Sequence, residues 1–205
     1  MRDLVVTESI TLDGVIDASA GWFSVADEAN VDQSDLVAAL REQSEAADAV
    51  LFGRVTFEEM RGYWPNRTDD TTGVREYLNR VSKYVVSSTI DDPGWERTTV
   101  LRGGAVRDEV RELKAKPGRD IVTTGSITLV HALVPAGLVD EYRLFVYPVV
   151  VGRGARLFAG AAEVPRLRLV EARPFRSGVV LLRYRPTRER SWATPTSGGT
   201  PDRPG

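Results

Sequence analysis

The sequence predicts an α/β fold in three layers: a mostly parallel central sheet, an antiparallel C-terminal edge, and helices on both sides. Two observations carry that expectation. Through about two thirds of the chain, short runs rich in β-branched residues alternate with stretches whose apolar residues recur at helical spacing. Thereafter strand-like runs follow one another with no helical stretch between them.

The strands are expected at 4–10 (LVVTESI), 48–53 (DAVLFG), 83–88 (KYVVSS), 120–124 (DIVTT) and 142–151 (YRLFVYPVVV), each bounded by turn formers. Two more, 166–172 and 178–185, form a hairpin around Arg176-Ser177-Gly178. Helical spacing marks "DLVAALREQSEAA", where Leu36, Val37, Leu40 and Ala47 recur, and then "VREYLNRV", "VRDEVRELKA" and "ITLVHALVPAG". A further helix follows the break at Gly53-Arg54. Strand 142–151 is apolar on both faces, with Phe145 and Tyr147 interleaved among Leu144, Val146, Val149 and Val151, which suits a central strand or one covered by a second subunit.

A chain of 205 residues supports one domain, assigned to residues 1–185. Residues 186–205, rich in Pro, Gly, Ser and Thr and nearly free of aliphatics, read as a disordered tail. The net charge of −2 gives no general attraction to nucleic acid or anionic lipid, so any bound anion needs a local site. With no cysteine and one histidine, His131, thiolate chemistry and multi-histidine or cysteine metal sites are excluded. No apolar run approaches the roughly 18–20 residues of a membrane span, and the N-terminus lacks a cleavable leader pattern, so a cytoplasmic protein is the simplest reading.

In parallel sheets ligands sit beyond the carboxyl ends of the strands. Three of these ends share a chemistry. After 48–53 come Gly53, Arg54 and Thr56: Thr56 with Glu59 fits a capping box, while Gly53 permits close backbone approach and Arg54 sets a cation beside helix-terminal amides. After 83–88, Ser87, Ser88 and Thr89 either satisfy turn amides or suit a phosphate monoester. After 120–124, Thr124, Gly125 and Ser126 lead into a helix, either as a serine cap or as free amides facing a diphosphate. Together they describe a dinucleotide lying across the sheet. The first strand leads into "SITLDGVIDASAGW", where Ser9, Asp13 and Ile16 are candidate site residues; Asp13-Gly14 is also a natural turn, and Trp22-Phe23 could cover a flat ring.

These segments resemble the dihydrofolate reductase-like superfamily, and more closely its branch related to the reductase domain of bacterial riboflavin biosynthesis, the RibD C-terminal domain. The resemblance rests on "SITLDGVID", "LFGRVTFE", "VVSST", "TGSITLVHAL" and "GLVDEYRLFVYPVVVGRGARLF" and runs from about residue 3 to residue 185. It implies an NADPH-dependent reductase acting on a small heterocycle or imine, with 5-amino-6-(5-phosphoribosylamino)uracil as the candidate substrate. It also implies that Gly53, Arg54, Thr56, Ser87 and Ser88 meet the adenosine phosphate and that Gly125 and Ser126 meet the diphosphate, and it favours a homodimer. Many relatives have Gly-Gly where this chain has Gly125-Ser126. Dihydrofolate reductases proper orient their substrate with a carboxylate near the place of Asp35. The zinc deaminase often fused to the riboflavin enzyme has no ligands in this chain. The rival reading is a non-catalytic nucleotide-binding, dimeric scaffold.

Other signals have plainer readings. "GRGARLF" lacks the third glycine of a dinucleotide fingerprint and fits a Gly-rich turn beside the cofactor or a dimer contact. His131 reads as packed or solvated, "RDEVRELKAK" as a charged helix face, and Asp140-Glu141 as solvated or interfacial.

Overall fold

The computed structural model describes residues 1–22, 31–102, 104–160 and 166–187. Eight strands form one sheet: β1 (Leu4–Thr11), β2 (Ala47–Gly53), β3 (Ser82–Val86), β4 (Thr98–Leu101), β5 (Asp120–Thr123), β6 (Glu141–Tyr147), β7 (Leu167–Pro174) and β8 (Val180–Pro186). Their order is β4-β3-β2-β5-β1-β6-β8-β7. The first six are parallel, and β8 and β7 add an antiparallel edge. The helices are α1 (Ser34–Ala46), α2 (Arg54–Tyr63), α3 (Val74–Arg80), α4 (Val106–Ala115) and α5 (Ile127–Leu133).

Strand register assigns the layers. Leu4 pairs with Ile121, Ile121 with Ala49, and Val6 with Tyr142, so these residues share a face, and they pack with Val110 and Leu113 of α4 and Leu129 and Leu133 of α5. The opposite face carries Val50 and Phe52 under α2 and α3, and Phe145 and Leu181 under α1. Each sheet face is thus covered by helices of the same chain. Among the described residues no helix is long and apolar enough to cross a membrane.

Several boundaries differ from expectation for local reasons. Strand β6 ends at Tyr147, because Pro148 offers no N–H to a ladder, so Val149 and Val151 leave the sheet. Strands β1 and β8 flank β6 within the sheet, and residues of its faces pack into the clusters under the helices, with Phe145 stacked on Phe175 at 6.2 Å. Helix α5 stops at Leu133, two residues before Pro135. Strand β4 was not foreseen: four residues, TTVL, are too few to display a period. The 175–179 turn is as expected, with Gly178 at φ 81 and Phe175 N–H donating to Val179 O at 2.8 Å. Ordered pairing runs past 185, since Pro186 closes β8 and Thr187 N–H donates to Arg166 O at 2.7 Å; the tail from 188 and Phe23 lie outside the described residues.

Of the acidic pair at the start of β6, Glu141 is not solvated, while Asp140 stays partly exposed. Glu141 is fully buried, its carboxylate held by Arg143, Arg183 and Arg185 at 2.7–2.9 Å, and Asp140 pairs with Lys114. Both lie at the amino ends of the strands.

Candidate functional site

A cleft of about 810 Å³ opens beyond the carboxyl ends of β1, β2 and β5. Its floor is a junction of two chain segments. Gly53 N–H donates to Ser126 Oγ at 3.0 Å, and Ser126 N–H donates to Thr56 Oγ1 at 2.8 Å. The start of α2 and the start of α5 are therefore fastened to each other. This corrects the capping box: Gly53 is the N-cap of α2, Thr56 lies inside the helix, and its hydroxyl serves the entrance of α5 instead.

The turn into α5 is unusual. Gly125 and Ser126 are both left-handed, at φ 59 and φ 43. A Cβ on Gly125 would stand 3.3 Å from Thr56 Cγ2, so a side chain there would be strained by conformation and would press on Thr56. Strain at Ser126 persists because its N–H and its hydroxyl are both held. The amides expected to be free are not: Gly125 N–H donates to Glu8 Oε2 at 3.0 Å. The turn that follows, Ile127 to Leu129, lines the cleft wall.

Glu8 was not singled out in the sequence, although a glutamate inside "LVVTESI" is a visible signal. It is 3% exposed, its Oε1 has no partner among the described residues, and burial pushes its pKa well above the usual carboxylate range. A buried carboxyl whose ionisation is disfavoured therefore lies under the turn that reaches the cleft.

Of the expected residues, Ile16, Gly53, Arg54, Thr56, Gly125 and Ser126 come together around this cleft. Arg54 is exposed on its wall, with Nη1 2.8 Å from Glu58. Ser87 is buried, its hydroxyl accepting from Thr89 N–H and Ile90 N–H at 3.1 Å, which is the turn-satisfying alternative; Ser88 is exposed, and Val86 just before them reaches the cleft. Thr124 and Ser9 are half-buried and outside the lining. Val55, exposed at 57%, and Thr128 line it without having been expected, Val55 because α2 turns Thr56 and Phe57 inward.

Asp13 serves the frame of the cleft. Its carboxylate accepts from Thr11 Oγ1 at 2.6 Å, Val151 N–H at 3.2 Å and Gly152 N–H at 2.9 Å, and it faces Arg156. The Thr11 hydroxyl above all, then these amides, pull its pKa down to about 2. The Gly-rich segment completes this brace: Ile16 N–H donates to Ala155 O, Leu157 N–H to Gly14 O, and Gly154 packs where a Cβ would meet Val15 Cγ1 at 2.9 Å. His131 contacts Arg156 O at 2.8 Å and belongs to the same brace. Trp22 packs edge-on against Tyr147 at 5.3 Å, its indole N–H donating to Asp17 O. Asp35 accepts from Arg176 N–H and secures the β7–β8 hairpin rather than the cleft. Among the described residues no group of three metal-ligating side chains occurs.

Residues 2–181 match the family described as the RibD C-terminal domain. The chain is 30% identical over 188 residues to the uncharacterized protein YyaP of Bacillus subtilis (strain 168), covering 89% of this chain and 94% of that protein. It is 28% identical over 184 residues to YwjB of the same organism, also named as uncharacterized, covering 88% and 96%. Among solved structures, a putative riboflavin biosynthesis protein from Shewanella sp. PV-4 shares the fold with a TM-score of 0.67 at 20% identity, covering 91% of this chain and all of that one. A diaminohydroxyphosphoribosylaminopyrimidine deaminase/5-amino-6-(5-phosphoribosylamino)uracil reductase from Thermotoga maritima has a TM-score of 0.62 at 19% identity; the similarity covers 91% of this chain and 57% of that one.

Proposed function

Because the chain belongs to the RibD C-terminal domain family, we propose that it is a reductase that binds NADPH and reduces a small heterocyclic or imine substrate. The observation that carries this reading is the junction of Gly53, Thr56 and Ser126 beneath a cleft large enough for a dinucleotide, with Arg54 on its wall.

The residues present fit the cofactor. Arg54 offers a guanidinium to the adenosine phosphate, with the exposed Ser88 as a candidate second donor. Gly125 keeps side-chain bulk away from the diphosphate, and the first turn of α5 presents its amides there. The upward push of burial on the Glu8 carboxyl suits this place, since an ionised carboxylate under Gly125 would repel the same anion. When bound, the cofactor supplies the hydride. The chain's own part is to hold the flat rings between the 16–19 segment and α5, and to brace that segment through Asp13 and the Gly-rich turn. The substrate we favour is 5-amino-6-(5-phosphoribosylamino)uracil. Asp35, engaged at the hairpin, leaves a dihydrofolate reductase without its orienting carboxylate.

A second reading, nucleotide binding without turnover, draws on Asp13, which is held ionised by the brace and so offers no proton. Cofactor titration followed by a turnover screen separates the two. Charge-assisted hydrogen bonds contribute about 1.5–3 kcal/mol, so Arg54→Ala should weaken NADPH by roughly tenfold or more and leave NADH nearly unchanged. Equal losses would move Arg54 to the shared part of the dinucleotide. Failure of folded wild-type protein to bind either cofactor would remove the reductase reading.

A further inference from the structure

The amino ends of the parallel strands, opposite the cofactor cleft, enclose a second cleft of about 470 Å³. Its charge is one-sided. Arg2 precedes β1, Arg97 precedes β4, Arg119 precedes β5, and Arg80 and Lys116 end α3 and α4, against one carboxylate, Asp48. Asp48 is already engaged, pairing with the Arg2 guanidinium and accepting from Arg119 N–H. Among the described residues, the side chains of Arg80, Arg97, Lys116 and Arg119 make neither an ion pair nor a hydrogen bond. In a chain of net charge −2 such a concentration is not a matter of composition.

Helix dipoles give part of the explanation, because cations at helix C-termini are favoured; that accounts for Arg80 and Lys116. It leaves Arg2, Arg97 and Arg119 unexplained. Three further features surround them. Arg97 is held left-handed at φ 58, an unfavourable backbone for a long side chain, with its carbonyl accepting Lys83 N–H at 2.8 Å. Gly118, at φ 146, lets the 116–119 turn close over the Arg2–Asp48 pair, where a Cβ would stand 2.9 Å from the guanidinium. The Tyr77 hydroxyl of α3, just before Arg80, is buried and has no hydrogen-bond partner among the described residues.

We propose that this cleft binds a small ligand carrying a phosphate or diphosphate group. Guanidinium forks match phosphate oxygens, the volume lies in the range of small-molecule sites, and Tyr84, Val81 and Pro117 provide an apolar wall for the rest of the ligand. The site is separate from the cofactor cleft and stands independently of the reductase reading.

The test is an amide NMR titration of the full chain with pyrophosphate and then ADP. Saturable shifts at 80–84, 97–99 and 116–120 are expected. The double variant Arg97→Asn, Arg119→Gln, with asparagine chosen because it tolerates the left-handed backbone, should keep its melting temperature and bind pyrophosphate about tenfold or more weakly. Shifts confined to 53–56 and 125–128 would place the anion in the cofactor cleft alone and overturn the proposal. So would the absence of shifts at millimolar pyrophosphate, or equal affinity in the variant.

Discussion

Glu8 and Asp13 sit five positions apart yet their acidities are pushed in opposite directions. The Thr11 hydroxyl and the amides of 151 and 152 pull Asp13 down to about 2, whereas burial pushes Glu8 well above the usual carboxylate range. The consequence for stability has a definite sign. Between the ordinary glutamate pKa and the raised folded value, the folded chain keeps a proton that the unfolded chain has released, so this contribution is full below the former and is lost as pH rises through the latter. Glu8→Gln keeps an acceptor for Gly125 N–H and removes the titration. It should raise the melting temperature at pH 8 and leave it unchanged near pH 4, each kcal/mol being worth about 2–4 °C in a chain of this size. Thermal melts of both proteins across that range decide it; a constant difference at every pH would rule out Glu8 as the source. Residue types in the first loop were legible, but their duties were not. Asp13 reads as a turn residue or as an acid with equal ease until Val151 and Gly152, distant in sequence, are seen to donate to it.

At the scale of elements, α2 and α5 behave as one unit, because each begins with a residue that satisfies the other. Thr56→Val preserves shape and removes the acceptor of the Ser126 N–H. A buried amide left unsatisfied costs about 1–3 kcal/mol, so the variant should melt several degrees lower. It should also weaken NADPH and NADH alike, in contrast to Arg54→Ala. An unchanged melting temperature would mean that another acceptor takes over and that the junction is dispensable. The sequence displayed the strand ends and their hydroxyl-rich and glycine-rich turns, because such turns have a local chemistry. Cross-helix bonds have none: the spacing from Thr56 to Glu59 imitates a cap, and only the approach of Ser126 shows where the hydroxyl goes. Ser87 is the converse, a hydroxyl whose turn bonds to Thr89 and Ile90 follow from local sequence.

Across the whole molecule, the parallel sheet with its antiparallel C-terminal edge was readable from the change of pattern after α5. The homodimer remains a proposal, and its basis moves. Strand β6 is covered within the chain, whereas Leu12, 64% exposed, and Val150, 70% exposed, lie on neighbouring turns joined by the Leu12 N–H bond to Val149 O. An exposed apolar pair of this kind suits a subunit contact. Light scattering should give a dimer at micromolar concentration, and Val150→Glu should shift it toward monomer without lowering the melting temperature; a monomer mass for the wild type ends the proposal.

The position of β1 also bears on how the chain is made. Of the strands of this sheet it is the first to be synthesised, yet it lies between β5 and β6, whose residues begin at Asp120 and Glu141. At about 5–20 residues per second, an apolar segment beginning at Leu4 waits several seconds or more for either neighbour. The sheet cannot grow outward from the N-terminus; it must close around its earliest piece. Synthesis therefore leaves that piece exposed to chaperones and to other nascent chains for most of its duration, and a ribosome that stalls before residue 120 releases a fragment with β1 unpaired.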